Sequence, residues 1–179
     1  MIKLDRKYLA LLDAASEMSQ HLAGLRTCFS LLALTGAIDR DCAERLQAHD
    51  LSEGRFTVLT VLLMAEKPLA PHDLAERIGV TRATMTGLLD GLERSALITR
   101  RRDRSDRRSV KIALTAAGRQ SAERVNAEHL KWIANLIGDL NDDEQAALQG
   151  LLARIWRKTD AASSAIQHSA AQGDVHENN

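Results

Sequence analysis

The sequence predicts a mainly α-helical fold with one small β-hairpin, and three observations point there. Apolar residues recur at helical spacing along most of the 179 residues. Two short helical patterns, around Leu74 and Leu89, are separated by a tight turn at Gly79. One stretch breaks the helical rhythm: between Ile98 and Leu114 apolar and polar residues alternate on either side of a polar loop.

Taken in order, residues 1–50 are expected to form N-terminal helices. Leu4, Tyr8, Leu11, Leu12 and Ala15 make a stripe that Leu22, Leu25, Phe29 and Leu32 continue, with Gly36 expected to break or kink it. Ile38, Cys42, Arg45, Leu46 and His49 form a second stretch ending near Asp50. Residues 51–115 read as a separate domain. Ser52 caps a buried helix that runs through Met64 and stops before Pro68. Leu74, Ala75 and Ile78 give the next helix a short apolar face, and Gly79 suits the left-handed residue that ends it. Val80 is an apolar plug, Thr81 caps the following helix, and Met85, Leu88, Leu89 and Leu92 are its buried stripe. Strands follow at Ile98–Arg102 and Ser109–Leu114, with Val110, Ile112 and Leu114 expected to point inward. Residues 116–162 are two further helices, the first capped by Thr115 and reaching Ile137, the second opened by Asn141 with Glu144 and reaching Ala162. The small, polar residues 163–179 are expected to be disordered.

Composition narrows the function. The chain is 45% hydrophobic but only 3% aromatic, so aliphatic helix packing should dominate its core. Its 24 basic and 24 acidic residues cancel, so only their local distribution is informative. From Arg55 to Thr115 there are twelve Lys/Arg against seven Asp/Glu, and six arginines fall between Arg100 and Arg108. A basic lobe on a neutral chain indicates a polyanion partner. The opening MIKLDRKYLALLDAA lacks a secretory pattern, and no run approaches the ~20 apolar residues of a membrane span. A cytoplasmic protein with free thiols at Cys28 and Cys42 and no membrane partner is the expectation.

A helix, tight turn and helix followed by a basic two-stranded hairpin is the pattern of a winged helix-turn-helix. The segments VTRATMTGLLDGLERSALITRR and DRSDRRSVKIALT, with the Ala-Ala-Gly after them, resemble the MarR family of bacterial transcription regulators over roughly Leu51 to Gly118. The resemblance implies a winged domain flanked by N- and C-terminal dimerisation helices. It also implies a homodimer on double-stranded operator DNA, commonly a repressor, released by a small phenolic or aromatic anionic effector bound between the dimerisation helices and the winged lobe. Two positions depart from the family: Gly87, where a longer polar side chain is frequent, and Ala96, where glycine is usual.

The residues themselves say which groups would meet DNA. With Met85, Leu88, Leu89 and Leu92 inward, Ala83, Thr86, Gly87 and Asp90 lie on the far side, and Thr81, Arg82 and Thr84 at the helix entry or its flanks. Thr81, Arg82, Thr84 and Thr86 are the candidate recognition-helix contacts. Gly87 and Gly91 each cost ~1 kcal/mol of helix propensity relative to alanine, so a close approach is expected at each, either of DNA backbone or of a neighbouring helix. In the wing, Arg104 and Arg107 would reach phosphates. The resemblance assigns minor-groove entry to Arg108, with Asp106 orienting its guanidinium. Arg101 faces away from Arg100 and Arg102 on a strand, so at least one of the three is expected to form an internal ion pair.

Other functions have weaker signals. Arg26, Phe29, Arg55 and His129 are effector-site candidates by chemistry and approximate position. Dimerisation candidates are the stretch Leu4 to Leu34 and the later residues Leu130, Ile133, Leu136, Leu148, Leu151, Leu152, Ile155 and Trp156, with the first 25 or so residues adding to the interface. A thiol-based sensor of the same fold is the alternative, although the family's peroxide sensors use a reactive cysteine assisted by tyrosines and this chain has only Tyr8. His21 and Cys28, like Cys42 and His49, are seven residues apart. That is about 10 Å along a helix, too far for one zinc ion with ligands at ~2.3 Å, so neither a metal nor another cofactor is expected. Catalysis is not expected either, since the six histidines are scattered and no Gly-rich phosphate loop is present. A winged-helix protein-interaction module remains a rival, but it would have little use for an arginine-dense wing.

Overall fold

The computed structural model describes residues 2–16, 22–102 and 110–160. Their order is α1 (Arg6–Ser16), α2 (Leu22–Gln47), α3 (Glu53–Met64), α4 (Pro71–Ile78), α5 (Arg82–Arg94), β1 (Ile98–Arg102), β2 (Val110–Leu114), α6 (Ala116–Leu136) and α7 (Asp142–Trp156). The wing loop carrying Arg104, Asp106, Arg107 and Arg108, together with His21 and the tail from 163, lies outside the described residues.

Local chemistry sets most boundaries. The Ser52 hydroxyl accepts from the Arg55 N–H, and the Thr81 hydroxyl from the Thr84 N–H at 3.1 Å. At Asn141 the cap is reciprocal: its carbonyl accepts from the Glu144 N–H at 3.0 Å, and the Glu144 carboxylate accepts from the Asn141 N–H at 2.9 Å. Gly79 ends α4 at φ +75°, and the Val80 N–H reaches back to the Ala75 carbonyl at 3.0 Å, closing the turn that directs α5. Three boundaries differ from expectation. Gly36 does not interrupt α2, whose 26 residues run straight through it; one glycine costs a helix only ~1 kcal/mol. Helix α7 stops at Trp156, short of Ala162, in a turn where Lys158 and Thr159 N–H groups bond back to Ile155 and Trp156. Val110 is 38% exposed instead of inward, because it pairs with Arg102 at the outer end of the hairpin.

The hairpin is antiparallel, in register from Ile98↔Leu114 to Arg102↔Val110. Leu69, in the α3–α4 link, adds a bridge to Ile112 through both backbone bonds, at 2.8 and 3.2 Å. The wing root is thereby tied to the helices. Inside, Leu59, Leu74, Met85, Leu89, Leu92 and Ile112 are fully buried and join Leu46, Ala122 and Val125 in one cluster. Those side chains fix α5 by its inner face and leave its outer face free.

The chain divides into two compact units at His129/Leu130, within α6. The first holds the winged core. In the second, α7 has no buried residue, and Leu148, Leu151, Leu152, Ile155 and Trp156 are all exposed. Of the 26 residues of α2 only Leu46 is buried, while Leu32 and Leu34 are exposed. By length and composition α2 is also apolar enough to cross a membrane, which the sequence reading did not anticipate because it judged apolar runs by their continuity.

Candidate nucleic-acid interface

Helix α5 presents Arg82, Ala83, Thr84, Thr86, Gly87 and Asp90 on its exposed side. The threonine hydroxyls are largely engaged within the helix. Thr81 and Thr84 share a 2.9 Å bond between their Oγ1 atoms, and Thr86 donates to the Arg82 carbonyl at 2.9 Å. Those bonds hold the hydroxyls against the helix backbone and each other, although all three residues are exposed. Arg82 is exposed and its guanidinium makes no hydrogen bond or ion pair among the described residues.

The two helix glycines separate into different cases. A Cβ on Gly91 would lie 2.4 Å from Arg55 Nη2, so close packing against α3 accounts for that position. At Gly87 a Cβ would meet nothing within 4 Å. Among the described residues no packing accounts for Gly87, unlike Gly91.

The base of the wing is organised by Thr115. Its N–H donates to the Leu97 carbonyl at 3.0 Å, its hydroxyl donates to the Ala96 carbonyl at 2.8 Å, and it accepts from the Gly118 N–H at 2.9 Å. A Cβ on Gly118 would sit 1.8 Å from the Leu97 oxygen. The Leu-Thr-x-x-Gly run is thus a joint between wing and α6: threonine caps the helix and ties the strand, and glycine admits the carbonyl. Ala96 adopts φ +56°, the left-handed region in which a Cβ is disfavoured.

Among the strand arginines, Arg100 makes the internal ion pair. It shares a face with buried Ile98, pairs across the hairpin with buried Ile112, and turns to α5, where Asp90 binds Nη2 and Glu93 Oε2 lies 3.3 Å from Nε. The alternation on the strand singled out the group of three but not the member. Asp90 and Glu93, three apart on one helix face, are the sequence signal that could have singled it out. Arg101 and Arg102 are exposed.

The effector candidates fall into separate clusters. Phe29 stacks on Tyr8 at 5.0 Å, and exposed Arg26 lies on the same helix. Arg55 crosses Gly91. His129 packs on Phe56 at 4.8 Å and lines a cavity of about 330 Å³ with Arg45, Leu46, His49 and Glu128. In its wall His49 Nε2 and Glu128 Oε2 are 2.9 Å apart. Burial lowers the His129 pKa, Glu53 opposes that shift and Arg45 adds to it. Arg45, His49 and Glu128 were not among the sequence candidates, because the cavity forms between segments about eighty positions apart. Of the thiols, Cys28 is exposed and Cys42 half-buried. Burial, then Glu53 and Asp39, push the Cys42 thiol pKa up, the opposite of what a reactive thiolate needs.

Comparison with known proteins places this architecture. The MarR family model matches residues 51–110. The HTH-type transcriptional repressor YetL of Bacillus subtilis is 30% identical over 85% of this chain and 92% of its own. The HTH-type transcriptional regulator PrsX of Escherichia coli is 29% identical over 85% of this chain and 90% of its own. Among solved structures, YusO from Bacillus subtilis aligns with a TM-score of 0.64 at 25% identity, covering 79% of this chain and 99% of its own. The S. aureus MepR–DNA complex has the same fold, with a TM-score of 0.62 at 22% identity over 72% of this chain and 95% of its own. With the family-model match and a 30%-identical relative aligned over most of both chains, the chain belongs to the MarR family of DNA-binding, winged helix-turn-helix transcriptional regulators.

Proposed function

We propose that this regulator is a homodimeric repressor that grips a pseudo-palindromic operator and is released by a small anionic effector. The observation that carries the DNA-binding geometry is the pairing of a helix with one buried and one open face with an arginine-dense wing rooted against it. Thr81, Arg82, Thr84 and Thr86 enter the major groove, Arg82 being the long side chain with no partner among the described residues. Arg104 and Arg107 take phosphates, and Arg108, oriented by Asp106, takes the minor groove. Repression is favoured by the name of the 30%-identical relative.

Residues 1–50 and 116–162 serve dimerisation. Apolar side chains left exposed on α2 and α7 need a cover, and a second copy supplies the matching surface for both. The same residues answer the membrane reading of α2: a DNA-binding regulator has an apolar helix to bury, and a partner helix buries it. The cavity beside His129 and Phe56 is the effector site, with Arg45 the cationic side chain in its lining and His49 held by Glu128.

Selection of genomic fragments by the purified protein, followed by sedimentation of free protein and complex, tests this reading. The expected result is a dimer that retains fragments sharing an inverted repeat with half-sites about one DNA turn, ~34–36 Å, apart. A monomer, or retained fragments without a repeat, would contradict it.

A further inference from the structure

Asp90 and Glu93 stand on the helix that this reading sends into the major groove, where negative charge opposes binding. Neither side chain is buried, so the fold does not need them there for packing. Both nevertheless point at one guanidinium, that of Arg100 on β1, which they hold at Nη2 and at Nε. Arg100 sits on the inner face of the hairpin, in line with Ile98 and opposite Ile112. Only one residue separates it from Arg102, the last described residue before the wing tip. The cluster is a polar side-chain link between α5 and β1, outside the apolar packing of Leu89 and Leu92 with Ile98, and it bridges the turn at Ser95–Leu97.

We infer that Asp90 and Glu93 are positioning residues for DNA binding: by together holding the Nε/Nη2 edge of Arg100 they fix the angle of the wing strands against the recognition helix, so that two carboxylates on the DNA-binding side raise affinity. The inference rests on the DNA-binding reading above. A bifurcated carboxylate clamp suits this task because the guanidinium is planar and its donors have fixed directions, so two acceptors define its plane. Loss of one carboxylate leaves a single bond about which Arg100 can pivot; loss of both leaves β1 held against α5 by its apolar packing alone.

The test compares wild type, Asp90→Asn/Glu93→Gln and Asp90→Glu on a duplex selected from a random-sequence pool by the wild type, and on an unrelated duplex at low salt. Simple electrostatics predicts that removing two negative charges tightens both complexes. The clamp predicts that the double variant loses about tenfold or more on the selected duplex, as expected for ~1.4 kcal/mol of lost charge-assisted bonding, while binding to the unrelated duplex is unchanged or tighter. Asp90→Glu restores the selected complex, and thermal unfolding of the double variant shows whether the fold persists. Equal or tighter binding of the selected duplex by the double variant overturns the inference and leaves the DNA-binding reading intact. Failure of the wild type to retain any duplex overturns that reading, and the inference with it.

Discussion

The winged region and the helices that flank it use their apolar residues in opposite ways. Between Leu51 and Leu114, Leu59, Leu74, Met85, Leu89, Leu92 and Ile112 are consumed internally, and α5 turns Arg82, its threonines, Asp90 and a bare Gly87 outward. In α2 and α7 the apolar residues face outward: Leu32, Leu34, Leu151 and Ile155 are all more than two-fifths exposed. One region has closed its core and offers a polar, basic surface to a polyanion. The other has surface that water should not see. The contrast fits DNA as the partner of the first and agrees with the proposed second copy of the chain as the cover of the second.

Core and surface leucines should therefore respond differently. Leu92→Ala, at a fully buried site, should lower unfolding free energy by about 3 kcal/mol through lost burial and a residual cavity, measured by urea denaturation. Leu151→Glu with Ile155→Glu should weaken the dimer by ~2–3 kcal/mol or more, as for a charged group placed at the centre of an apolar interface. Sedimentation would detect that shift, and an unchanged dimer would break the comparison. Ala96→Gly should go the other way and stabilise by roughly 0.5–1 kcal/mol, since it relieves a Cβ at φ +56° at a cost in unfolded-chain entropy.

The smallest effect concerns pH. Because burial lowers the His129 pKa below its ordinary 6.5, the folded state disfavours the proton. Its contribution to stability is complete above pH 6.5 and is lost as pH falls through the lower, folded-state value. Wild type should lose more stability than His129→Gln between neutral and mildly acidic pH, and parallel curves would show that the ring is not held neutral.

The features legible in the sequence are those set by neighbours a few residues apart. Ser52, Thr81 and Asn141 cap their helices because a cap needs only the next three residues, and Gly79 turns left because Val80 must reach back to Ala75. The two strands and the inward side of Ile112 followed from alternation alone, whereas Val110 lies where the core runs out. What sequence reading missed depends on distance along the chain. Arg55 over Gly91, Leu69 bridging Ile112, and Glu128 beside His49 join segments that only tertiary packing brings together. Gly36 was misjudged for the converse reason: propensity is weak, and a long helix absorbs it. At Ala96 the family's usual glycine marked the position, but only the backbone angle gave the reason.

The most direct test of the central claim is the affinity of the purified protein for a selected duplex measured against salt, for wild type and Arg108→Ala. Phosphate contacts from both protomers predict that log K falls steeply and linearly with log[salt]. Removing Arg108 should weaken binding by more than alanine at Thr84 or Thr86 and make that slope shallower. A wild-type affinity that does not change with salt, or an Arg108→Ala variant that binds as tightly as wild type, would contradict a wing that grips the duplex.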